Sequence, residues 1–80
     1  MEKKLSELNM GDSAIVVKFE KDDIFLKLME MGFIEGEKVK IEQVAPFGDP
    51  IAIKIAGYLV SLRLSEADKI IVGEIENFVA

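Results

Sequence analysis

Apolar positions recur along this chain at two spacings, and the change between them divides it into elements. From Ser13 to Glu20 they alternate, with Ile15, Val17 and Phe19 on one face and Ala14, Val16 and Lys18 on the other. β-Branched residues at a period of two predict a strand. Glu37 to Ala45 alternates again, with Val39 and Ile41 inward and Lys38, Lys40 and Glu42 outward. Ile51, Ile53 and Ile55 alternate with Ala52, Lys54 and Ala56. Tyr58, Val60 and Leu62 then alternate with Leu59, Ser61 and Arg63, and Ala56-Gly57 between the two runs predicts a tight hairpin turn. Ile70-Ile71-Val72 predicts a last strand that extends toward Ile75.

Between the first and second of these five strands the spacing becomes helical. The organising stretch is Leu28-Met29-Glu30-Met31-Gly32-Phe33, continuing through Ile34-Glu35 to Gly36. It predicts a helix from about Asp23 to Met31, capped by Asp22 or Asp23, whose carboxylate accepts orphan N–H groups. Gly32 stops it, because the residue after a helix often needs positive φ. With residues spaced by about 100°, Ile24, Phe25, Leu28, Met31 and Gly32 share one side. Asp23, Lys27 and Glu30 lie opposite. Leu26 and Met29 fall outside the central stripe and widen the apolar arc to about 220°, where a surface helix needs somewhat over 100°. Two readings follow: the helix is embedded in a groove, or Leu26 and Met29 belong to an exposed docking face.

So short a helix needs tertiary burial to form, so the strands must make a sheet that receives it. Leu5-Ser6-Glu7-Leu8 and Ser65-Glu66-Ala67-Asp68, the latter with Ser65 as cap, each predict one helical turn. Asn9-Met10-Gly11-Asp12 and Pro46-Phe47-Gly48-Asp49-Pro50 are loops by composition. Five short strands at this spacing predict a mainly β chain curled into a small closed barrel without edges. One domain is expected over residues 1–76, with residues 77–80 as a frayed tail.

Composition removes most chemistry. The 80 residues contain neither cysteine nor histidine. Ser6, Ser13, Ser61 and Ser65 lack a recognisable activating base, and Asp22-Asp23 and Glu35/Glu37 read as a cap and a solvated turn. No enzyme is expected, and no cofactor. Met10, Met29, Met31 and Glu30 could suggest a soft metal cluster, but methionines ordinarily fill core gaps or make adaptable surfaces. There is no Gly-rich phosphate loop. Tyr58, as the only tyrosine in a chain without tryptophan, does not make a groove for proline-rich peptides. A net charge of −5 with no basic block argues against nucleic acid. No leader or membrane-spanning run is evident, so a soluble cytoplasmic protein is expected. A binding module remains, with Leu26, Met29, Met31, Phe33 and Phe47 as candidate partner-contacting residues.

Leu28-Met29-Glu30-Met31-Gly32-Phe33 with Gly36, Ala45-Pro46-Phe47-Gly48-Asp49-Pro50, Leu62-Arg63 and Glu66-Ala67 together resemble the FeoA-like family of bacterial ferrous iron transport. The resemblance runs from Leu5 to about Val72. It implies an SH3-like barrel with an inserted helix. It also implies an accessory role to the iron permease FeoB, through that protein's cytoplasmic GTP-binding region. Similar domains end metal-dependent repressors of the diphtheria toxin repressor type, which leaves a metal-binding or metal-sensing regulatory module as the alternative. The present chain has its own start and no DNA-binding helices, so a free-standing protein is expected, with weak self-association through the same apolar patch as a further option. Two positions depart from the family pattern. Glu35 stands where many relatives place proline, and Phe25-Leu26-Lys27 where relatives often carry arginine. The second change favours an apolar contact over a charged one.

Overall fold

The computed structural model describes residues 2–20 and 23–74. Its elements in order are β1 (Glu2–Lys4), a 3-10 turn (Leu5–Glu7), β2 (Ser13–Phe19), α1 (Phe25–Glu30), β3 (Lys38–Val44), β4 (Ile51–Ile55), β5 (Tyr58–Leu62), α2 (Leu64–Ala67) and β6 (Ile70–Glu74). The strands form one antiparallel sheet in the order β1-β6-β2-β3-β4-β5. The sheet curls around a single core in which Val16, Val39, Ile41, Ile53, Ile55, Leu62, Ile70 and Val72 meet Leu5, Leu28, Phe33 and Ala67. No polar or charged residue is buried among the described residues.

Several expectations change. The described residues form six strands, not five, because Glu2–Lys4 pairs with Ile71–Gly73 of β6. Among the described residues the ladder does not close: β1 and β5 each pair on one side only, which leaves two edges. The gap is spanned by the 3-10 turn and α2, tied where the Ser6 hydroxyl donates to the Asp68 carboxylate. On β2 both faces carry apolar residues. Ala14 and Val16 point into the core, Ile15 and Val17 are half-buried, and a register shift between Val16 and Lys18 bends the strand.

The helix is shorter than the expected Asp23–Met31. Its N-cap is Ile24, which makes no side-chain capping bond, and Asp23 sits in the preceding turn. Asp22 lies outside the described residues, as do Ile75 and the tail 77–80. Phe25 holds the start of the helix instead, its ring edge-on to Phe19 at the end of β2 with centroids 5.2 Å apart. At the other end the N–H of Gly32 donates to the carbonyl of Met29, and that of Phe33 to the carbonyl of Leu28. This is a Schellman stop, with Gly32 as the left-handed residue at φ 105°.

A Cβ on Gly32 would meet nothing closer than 4.0 Å, so space is not the constraint there. The backbone is. Gly32→Ala is expected to lose about 1–3 kcal/mol through forced positive φ, read as a lower urea midpoint at unchanged slope. A variant as stable as the parent would contradict the helix stop.

Candidate functional site

The six residues of α1 divide cleanly. Leu28 is fully buried, and Ile24 and Met31 pack against the core from its flanks. On the other side Leu26 is 69% exposed and Met29 39%. The apolar excess in the helical arc is therefore on the surface, and the groove-embedded reading is excluded. Ile34, just past the glycine stop, is also exposed and adds to the same end of the helix.

Phe33 requires a correction. It was expected on a binding surface, yet it is fully buried. The Schellman stop explains why: the motif turns the second residue past the C-cap Met31 back toward the third-last helical residue, here Leu28. Gly32 followed by an apolar residue was the available signal. Met31 is half-buried and touches the core, so it supports the face more than it presents one.

Phe47 is 99% exposed at the tip of the loop between β3 and β4. Polar contacts join this loop to the helix through α2. Lys27 Nζ on α1 lies 3.2 Å from Glu66 Oε2. The Leu64 N–H at the start of α2 donates to Asp49 Oδ1 of the loop at 3.1 Å. Helix and loop are thus both tied to α2 as a hub, and each carries exposed apolar side chains, Leu26 and Met29 on the helix and Phe47 on the loop.

The hub is capped by Glu66 rather than by Ser65 as expected. Arg63 is the N-cap, and its N–H donates to Glu66 Oε1 at 2.9 Å. That backbone hydrogen bond holds the Glu66 carboxyl below its ordinary value, and the nearby Lys27 ammonium adds to the effect while burial opposes it. A carboxyl depressed in the folded state stabilises above the unfolded glutamate value, and the gain fades as pH falls through the folded value. Glu66→Gln is expected to lower the melting temperature at neutral pH, with the difference from the parent closing under acid. A difference constant across that range would rule out the charge-based contribution.

Other large apolar residues are exposed as well. Tyr58 and Leu59 lie on β5 and Met10 on the turn before β2. Sequence reasoning did not single them out as surface residues, since each continues an apolar run or sits among turn residues. Among the described residues no group of three carboxylates, histidines or cysteines comes together to hold a metal ion. Nor is any helix among them long and apolar enough to cross a membrane.

The chain is 44% identical over 68 residues to an Fe(2+) transport protein A/Fe(2+) transporter FeoB fusion protein of Porphyromonas gingivalis. That match takes in 84% of this chain and 8% of the fusion protein, so the chain spans only a small part of that relative's length. The fold superposes on an FeoA-like protein from Clostridium acetobutylicum with a TM-score of 0.89 and 34% identity, covering 99% of this chain and 93% of that one. It superposes with a TM-score of 0.79 and 33% identity on Stenotrophomonas maltophilia FeoA complexed with zinc, described as a procaryotic SH3 domain protein, covering 89% of each chain. The FeoA domain model matches residues 3–74, nearly the whole described length, and the chain belongs to the FeoA family.

Proposed function

We propose that this chain is a non-enzymatic accessory of ferrous iron transport. It acts in the cytoplasm by docking on the GTP-binding region of the ferrous iron permease, FeoB. The observation that carries the proposal is the outward face of α1. A six-residue helix on a small barrel leaves Leu26 and Met29 in solvent when a self-contained domain gains nothing from doing so. Methionine and aromatic anchors suit the centre of a protein interface. Phe47 supplies a second anchor, joined to the first through α2.

The Porphyromonas relative supports the choice of partner. Its name places an FeoA part and FeoB in one polypeptide. Covalent linkage makes an encounter intramolecular, so a contact of modest affinity is sufficient there. The unit proposed to dock spans residues 1–76.

The test is an NMR titration of the labelled chain with the soluble GTP-binding region of the permease. Resonances of Leu26, Met29, Ile34 and Phe47 are expected to shift together, while those of β1 stay in place. A titration that moves none of them would remove the docking reading.

A further inference from the structure

We infer that the free edge of β5 is a second interaction surface, one that pairs with β5 of another copy of this chain about a two-fold axis at Val60. The two ends of the sheet differ in chemistry. β1, at one end, is Glu2-Lys3-Lys4, and Glu2 is ion-paired with Lys18 at 3.7 Å. Charges on an edge strand discourage strand addition. β5, at the other end, is Tyr58-Leu59-Val60-Ser61-Leu62, with neither a charge nor a proline. Tyr58 is 72% exposed and Leu59 64%.

The hairpin fixes which backbone groups face outward. Ile55 and Tyr58 flank the two-residue turn Ala56-Gly57, whose residues both have positive φ. In such a hairpin the flanking pair exchanges both hydrogen bonds, and alternate pairs after it do the same. Tyr58, Val60 and Leu62 therefore bond to β4, opposite Ile55, Ile53 and Ile51. The N–H and C=O groups of Leu59 and Ser61 point away from the sheet. The next outward donor, the Arg63 N–H, is already taken by Glu66.

Those outward groups are self-complementary. An antiparallel copy centred on Val60 sets Leu59 opposite Ser61 of the second chain and Ser61 opposite its Leu59. Each pair exchanges two hydrogen bonds, and Val60 meets Val60 on the axis. No like charges fall opposite one another. Five residues bury less surface than a permanent dimer needs, so the association is transient. Each copy carries a net charge of −5, so long-range repulsion opposes the encounter and added salt strengthens it. The groups that pair here are backbone groups of β5, not the side chains of α1 or Phe47, although Ser61 borders the Pro46–Pro50 loop.

The experiment is amide hydrogen exchange and sedimentation of the full chain from micromolar to millimolar concentration, at low and high salt. Exchange at Leu59 and Ser61 is expected to slow with concentration, more so in high salt, while exchange in β1 does not. Ser61→Pro removes one outward donor without touching the ladder to β4, and it is expected to abolish association. Ser61→Ala, which keeps the N–H, retains it. Concentration-independent exchange at both amides overturns the inference without need of any variant. So does association that survives Ser61→Pro, which would assign it to another surface. Protection of Leu59 and Ser61 seen only with the permease's GTP-binding region present also overturns it and gives the edge to that partner.

Discussion

Phe33→Ala is expected to leave the chain largely unfolded at ambient temperature. Phe33 is fully buried in the same cluster as Leu28, Val39 and Ile55. Deleting a buried phenylalanine ring costs about 3–5 kcal/mol through lost transfer energy and the cavity left behind. A core of this size rarely supplies more than about 3–5 kcal/mol in total. The loss therefore matches the whole margin. Phe33→Leu keeps most of the volume and is expected to stay folded with a lowered urea midpoint. The comparison matters because Phe33 stands one residue beyond Gly32 and one before exposed Ile34. A Phe33→Ala chain that melted within a few degrees of the parent would mean that the ring is not seated in the core, and the Schellman account of α1 would fail with it.

How much of this was legible in the sequence follows from what each signal depends on. Alternation depends on one face being dry, and it located β3, β4 and β5, whereas β6 was located by the contiguous apolar run Ile70-Ile71-Val72. It could not show which face of β2 is inward, since both faces are apolar. Packing and the register shift after Val16 settle that. β1 has no alternation at all. Its charged residues become a strand only because β6 offers a backbone to pair with, a tertiary effect outside local propensity. Ser65 looked like a cap by residue type, yet the carboxylate of Glu66 reaching back to Arg63 does that work. The excess apolar arc on α1 correctly flagged an anomaly. Only the fold shows that it points into solvent, and only the fold moves Phe33 from the candidate surface into the core. Phe47 was visible as an aromatic between turn formers, where no core can receive it.

Leu26→Ser combined with Met29→Ser is expected to lower affinity for the permease's GTP-binding region by about 30-fold or more, the effect of losing roughly 2 kcal/mol from a central apolar anchor. Stability is expected to change little, because Leu26 is largely in solvent and Leu28, which holds the helix, is untouched. Phe47→Ser tests the loop tied to the helix through α2. Its ring is wholly exposed, so the folded state loses no packing, and any loss of affinity belongs to the interface. Leu59→Ser is the control: it removes an exposed leucine from β5, an element outside the proposed contact, and should bind as the parent does. Isothermal titration beside thermal melts separates the outcomes. Weaker binding at unchanged melting temperature places the contact on α1 and the Phe47 loop. A lower melting temperature for the α1 pair would mean that the helix needs those side chains for its own folding. Full affinity in both variants would leave the outward face of α1 without a role in docking, although membership of the family would stand on the match over residues 3–74.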